Sequence, residues 1–211
     1  MATSYEDLLP EILPLVPLCP EPFARVNVRS AFIELCERAD VYQIELDAIT
    51  TVNNTYEYDL ETPSNTLVSK ILSVTHSGKN LKPITPELLD QRIPDWRTTT
   101  GTPEYYVKVS PTVIWLAPVP DATTALSTTV RAALKQTVSS SSADTDTIND
   151  YRDVIVNGAL ARLFRVPNRE WSDLNSAQIY LQLFEQGLQQ AERKATHKDQ
   201  PVVRKVKYGG L

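Results

Sequence analysis

Helical and strand-like spacing of apolar residues divides the chain into helix-prone ends and a strand-prone middle. The spacing predicts a short helix over Ser4 to Leu15. Ser4 stands as its N-cap with Asp7 three residues on, close to a capping box, and Pro14, Pro17 and Pro20 end it. A second helix is predicted over 22–40. Pro22 suits its first turn, Val28, Phe32, Leu35, Cys36 and Ala39 share one stripe, and Arg25, Arg29, Glu34 and Arg38 lie mostly off it.

The period then drops to two. Tyr42, Ile44, Leu46 and Ala48 alternate with Gln43, Glu45 and Asp47, and Tyr56, Tyr58 and Leu60 alternate with Glu57 and Asp59. With Asn53-Asn54 between them, these two runs predict a hairpin. Leu67 to Thr75 reads as a third strand, Ser77-Gly78 as a turn, and Leu81 to Ile84 as a return. Thr85 and Pro86 open a short helix through Leu88, Leu89 and Ile93 that Pro94 stops, and Asp95 to Pro103 is polar and irregular. Tyr105, Val107 and Val109 form one strand face, and Val113 to Ala117, apolar on both faces, predicts a central strand. The clearest alternation sets Leu126, Thr128, Val130, Ala132 and Leu134 against Ser127, Thr129, Arg131, Ala133 and Lys135. Thr137 to Asp146, with its run Ser139 to Ser142, reads as a loop too polar to pack.

Two helices close the pattern. In the first, Ile148, Tyr151, Ile155, Ala159 and Leu163 share a face, and Gly158, Ala159 and Ala161 would let a neighbouring helix approach closely. Pro167-Asn168 ends it. Ser172 or Asp173 caps the last helix, whose seam Leu174, Ala177, Leu181, Phe184, Leu188 and Ala191 repeats as a heptad. The expected fold is therefore α+β. Residues 1–40 and 147–197 form a helical bundle, 41–136 an antiparallel β-rich insertion, 137–146 the Ser-rich loop, and 198–211 an extended C-terminal tail.

Composition narrows the function. A 42% hydrophobic and 22% charged chain of 211 residues is ordinary for a folded domain. A formal charge of −5 argues against global attraction to nucleic acid. No apolar run approaches the roughly 18 residues of a membrane span. Glu6 and Asp7 stand where a secretion signal would carry Lys or Arg, so a cytoplasmic folding site is the expectation. Cys36, on an apolar stripe, reads as a small buried hydrophobe, and a disulfide to Cys19 is the lesser reading.

Candidate chemistry is sparse. His76 sits at a predicted hairpin tip and His197 at a helix end, neither with metal-ligand spacing to a companion. No glycine-rich phosphate loop or nucleophile elbow occurs, and Glu57 and Asp59 lie on a solvated strand face. The expectation is a protein with no cofactor, no metal and no catalytic activity. Trp115 reads as core and Trp171 as a staple for the last helix. Trp96, in a polar loop beside Arg92 and Arg97, is the candidate interface aromatic, local loop packing being the alternative. The tail offers a second candidate surface. Val202, Arg204, Val206 and Tyr208 would point one way and Val203, Lys205 and Lys207 the other, which suits addition to a partner's sheet edge; a solvated terminus is the alternative.

Four segments in order carry a resemblance. They are Tyr5 to Ile12 followed by Pro20, Pro22 and the helix ending Phe32 to Arg38; Pro94 to Tyr106; Val113 to Pro120; and Asn157 to Leu163. Together, over residues 4 to 196, the chain resembles the head-to-tail connector, or adaptor, proteins of tailed bacteriophages, including the tail tubular protein A type of short-tailed phages. The resemblance implies a structural virion protein at the head-tail junction, assembled in the host cytoplasm. It implies a ring, commonly of twelve copies, beneath the portal protein ring. Such a ring prolongs the DNA channel, through which the genome passes without specific binding. It also provides a platform for the tail nozzle, tube or fibre proteins. The resemblance further implies that a terminal extension grips the portal. A tail completion or neck protein is the nearest alternative. A carbohydrate- or nucleic-acid-binding module using Trp96 and the tyrosines is the alternative of another class.

Overall fold

A computed structural model describes residues 2–197 of the chain. The expected α+β class is observed, with six α-helices and mostly antiparallel sheets. In chain order the elements are β1 (Ala2–Ser4), α1 (Leu9–Ile12), α2 (Glu21–Ala39), β2 (Gln43–Glu45), β3 (Ile49–Thr51), β4 (Glu57–Asp59), β5 (Thr66–His76), β6 (Lys79–Asn80), β7 (Lys82–Pro83) and α3 (Pro86–Arg92). They continue as β8 (Thr100–Gly101), β9 (Tyr105–Ser110), β10 (Val113–Ala117), β11 (Val119–Pro120), β12 (Thr124–Gln136), β13 (Ser142–Asp144), α4 (Thr145–Asp150), α5 (Arg152–Phe164) and α6 (Leu174–His197).

Helices from the two ends of the chain pack together: α2 lies against α5 and α6, and α5 against α6. Their core holds Val28, Phe32, Leu35, Ile155, Leu163 and Phe184, all nearly or fully buried. Burying each large side chain of this kind contributes about 1.5–3 kcal/mol. Asp173 caps α6, its carboxylate accepting from the Asn175 amide at 3.0 Å. Of the predicted seam, Ala177, Phe184, Leu188 and Ala191 are buried, whereas Leu174 is exposed. Polar contacts tie the helices at their rims. The Arg38 guanidinium donates to both oxygens of Glu185 and to Glu34, and Arg162 donates to Glu34. Arg38 holds the Glu185 carboxyl below its ordinary value.

The opening segment is not one helix. Ser4 does cap it, but Tyr5–Leu8 and Leu13–Leu15 are 3-10 turns on either side of the single turn of α1. Pro10 and Pro14 each remove an amide that a continuous α-helix would need. Ala2–Ser4, before it, pairs as a strand with Ser142–Asp144. That pairing also corrects the expectation that the serine-rich loop does not pack. The β1 ladder satisfies its backbone groups, Ala143 is buried, and Ser140 is buried against the Tyr5 hydroxyl at 3.2 Å. Burial pushes the Tyr5 phenol up to about 12 against the opposing pull of Ser140.

In the middle region β12 is the long central strand of one sheet, flanked by β5 on one side and by β2 and β3 on the other. A second sheet runs β4, β10, β9, β7, with β10 between two neighbours as its two apolar faces require. Val74, Val130 and Leu134 of the first sheet share a core with Tyr58, Ile114 and Leu116 of the second. The predicted hairpin does not form. Its two arms separate, β2 and β3 joining β12 while β4 joins β10. Each arm is three residues long, and each finds a longer partner with a buried face, which a hairpin of the two would lack. Leu126 also departs from its expected side: the β12 register is irregular between Thr124 and Thr128, Leu126 adopts a positive φ of 46°, and its side chain is exposed. The predicted penultimate helix breaks at Tyr151 into α4 and α5.

The helical layer and the strand module meet at the end of α2. Lys135 of β12 pairs with Glu37, Lys70 of β5 with Asp40 at 2.7 Å, and Arg131 of β12 with the Gln43 side-chain oxygen at 2.9 Å. Gln43 in turn donates to the Ala195 carbonyl near the end of α6. These contacts fix the angle between the two parts more than they stabilise either, since exposed pairs contribute about 0–1 kcal/mol.

Candidate functional site

Thr85 and Pro86 start α3, and the backbone turns sharply at Asp95, where φ is 59°. The Asp95 carbonyl accepts from the amides of Thr98 and Thr99, so the irregular loop is internally hydrogen bonded. This turn sends Trp96 inward. Trp96 is 1% exposed, packed with Leu89, Tyr105, Val107 and Ala117, and donates its indole N–H to Asp90 Oδ1 at 2.7 Å. Tyr56 meets it edge-on at 5.2 Å, and Trp115 lies tilted at 5.4 Å. Of the two readings of Trp96, interface aromatic and local loop packing, the packing is the one observed: an apolar ring that can satisfy its one N–H from Asp90 is held in the core.

Arg97 remains accessible. Its guanidinium lies 4.5 Å from the Trp96 ring centre and 5.7 Å from that of Trp115, and it reaches Asp90 at 3.4 Å. Trp115, expected in the core, is half-buried and donates to Glu57 at 2.7 Å. With Arg92 5.3 Å from the Tyr105 ring centre, the cluster presents two cations on an aromatic base, each worth about 0.5–1 kcal/mol locally. The other candidates, Val202, Val203, Arg204, Lys205, Val206, Lys207 and Tyr208, lie outside the described residues.

His76, Cys19 and Cys36 are all buried. His76 does stand at the tip of the β5–β6 hairpin, paired with Lys79, but it is buried, its Nδ1 2.9 Å from Thr128 Oγ1, and burial lowers its pKa. Cys19 and Cys36 are free thiols, and burial pushes both up. Among the described residues no group of three or more His, Cys, Asp or Glu could hold a metal ion, and no helix is long and apolar enough to cross a membrane.

The surface carries features that the sequence pattern did not single out. A groove of about 610 Å³ runs between α4–α5 and α6, lined mostly by polar side chains such as Asn149, Asp153, Asn157 and Gln186, with Val154 and Leu183 among them. Leu15, Leu18, Phe23 and Val26 are exposed around the start of α2, and Leu18 has a positive φ of 66°. A bulky residue in that backbone region is unusual. Periodicity assigns neither feature, because each combines segments distant in sequence or an irregular turn.

The chain belongs to the SU10 adaptor protein family, whose family model matches residues 4–205. The match supports a role as a phage head-to-tail adaptor. No curated protein matches the chain.

Proposed function

We propose that this chain is a non-enzymatic subunit of a homo-oligomeric ring, of about twelve copies, bound beneath the portal protein ring at the head-tail junction of the virion. It is of the tail tubular protein A type. The ring prolongs the DNA channel, gives the tail nozzle or tube its platform, and works without a cofactor. The family match over residues 4–205 is the observation that carries this reading. Two further features support it. A ring needs two different surfaces on each subunit, and this reading assigns the subunit contacts to the polar α5–α6 groove and to the exposed apolar residues around Leu18 and Phe23. An excess of 26 acidic over 21 basic residues suits a channel wall along which phosphates slide without being neutralised.

Imaging of purified virions carrying a tagged copy of this chain tests the reading, together with light-scattering mass of the chain with and without portal. A ring of density beneath the portal is expected, with oligomer formation on portal. Tagged density at another level of the tail would make it a neck or completion protein. Absence from the particle, with a freely diffusing monomer, would sink the adaptor assignment.

A further inference from the structure

Strand β5 is paired with β12 along its whole length, but on its other side β6 covers only Thr75 and His76. From Ser69 to Ser73 no strand lies along that outer edge among the described residues. Strand β9 of the second sheet is covered on its outer side by β7 only at Tyr105 and Tyr106, leaving Val107 to Ser110 open. The two open edges flank one hollow of about 450 Å³. Its apolar wall includes Ile71, Ile84, Leu88 and Tyr106, and Leu88 is 54% exposed. An adjoining hollow shares Pro83, Ile84 and Leu88 and adds Lys82 and Arg92. Lys70, whose ammonium also meets Asp40 at 2.7 Å, and Lys108 line the first, so four cations border the continuous surface, and no carboxylate lines either hollow among the described residues.

Lys108 shows how the edge is managed in the free chain. Its ammonium donates to the Val68 carbonyl at 3.0 Å and to the Ser69 carbonyl, acting as a plug on acceptors that a neighbouring strand would otherwise use. Burial and the nearby Lys135 both disfavour that charge. A carboxylate brought alongside would relieve the cation, while the incoming backbone N–H groups took over the strand carbonyls.

We propose that the gap between β5 and β9 binds an extended, acidic and apolar segment of a partner protein, which adds as a strand to the Ser69–Ser73 edge. Main-chain hydrogen bonds supply affinity, alternate apolar side chains enter the Ile71–Leu88 wall, and carboxylates meet Lys70 and Lys108. The four cations also set the sign of the partner. The chain's own tail, with Arg204, Lys205 and Lys207, is repelled from this groove. A nucleic-acid duplex presents no strand edge to β5 and no apolar side chains to Leu88.

Fluorescence anisotropy on the isolated full chain tests this with a labelled peptide of alternating glutamate and valine. The comparisons are its lysine–valine counterpart, the glutamate peptide N-methylated at alternate residues, and a short DNA duplex. The glutamate peptide is expected to bind at least about tenfold more tightly than the lysine peptide, and N-methylation is expected to abolish binding. Amide exchange at 69–73 slows in the complex. Lys108→Met and, at an exposed helix position that leaves both sheets untouched, Leu88→Glu each weaken binding by about tenfold or more. The proposal is overturned by no binding of the glutamate peptide, by equal binding of the lysine or N-methylated peptide, or by DNA displacing the peptide. Because the isolated chain is used, these outcomes stand apart from whether the protein is found in the particle.

Discussion

A Cβ placed on Gly158 of α5 would stand 2.7 Å from Cε2 of Phe184 on α6 and 3.0 Å from the Cβ of Ala31 on α2. The missing side chain is what lets three helices meet at one level. Phe184 is 2% exposed, so its ring has no room to withdraw. Gly158→Ala gains up to about 1 kcal/mol of helix propensity but overpacks the junction at a cost of roughly 1–3 kcal/mol. A net loss of stability is expected in chemical denaturation. Phe184→Leu in the Gly158→Ala background should recover part of it through a coupling between the two sites. An alanine variant as stable as the parent would mean that the helices do not cross at Gly158.

His76 gives the fold a pH dependence of defined sign. Burial lowers its folded pKa below the ordinary value near 6.5, with Asp121 opposing weakly. The unfolded chain therefore binds the proton first. The stability from the neutral ring is fully present above pH 6.5 and is lost as the pH falls through the depressed folded value. Between about pH 7 and pH 5, above the carboxylate range, unfolding free energy should decrease in the parent and decrease less in His76→Gln. Parallel pH profiles for the two proteins would contradict the burial of this ring against Thr128.

Trp96 and Arg97 are neighbours in sequence with opposite roles. Trp96→Ala removes a fully buried ring and the nearer of Asp90's two donors, and a loss of roughly 3–5 kcal/mol is expected. Arg97→Ala removes an exposed cation over that ring and should cost less than about 1 kcal/mol. If Arg97 touches another protein of the particle, its alanine variant lowers incorporation into particles at unchanged melting temperature. Unchanged incorporation removes Arg97 from the interface.

The same pair shows where reading the sequence succeeds and where it stops. Long periodic segments were legible: α2, α6, β5 and β12 fall where the three-to-four and two-residue spacings put them. The small face at Gly158 was legible too, because only small residues admit a close helix. Partner choice was not. The segments at 43–45 and 57–59 look like two arms of a hairpin, yet each pairs with a strand more than 50 residues later. Alternation reports a buried face but not which strand lies beside it. For Trp96 the sequence left interface and local packing both open, because a polar loop hides the turn at Asp95 that drives the ring inward. The open edge of β5 has no sequence signature, since an edge is defined by a neighbour that is missing.

Residues 198–211 can be tested apart from the described fold. The described core closes with Ala191 on α6, and the three apolar clusters use residues from Tyr5 to that point. If residues 2–197 fold on their own, a chain ending at His197 unfolds at nearly the same denaturant midpoint as the full protein. If residues 198–211 dock on the portal as a strand, the shortened chain loses attachment, and a valine-to-proline change at Val203 or Val206 reproduces that loss. Proline removes a main-chain donor that strand addition requires, without changing charge. Replacing Arg204, Lys205 and Lys207 with glutamine separates the other possibility. If the tail binds by charge alone, the glutamine form fails while the proline forms attach normally. Pull-down on purified portal at two salt concentrations distinguishes the modes, since a charge-only contact weakens with salt far more than a strand contact does. Full attachment by the shortened chain would place the portal contact on the folded part of the molecule.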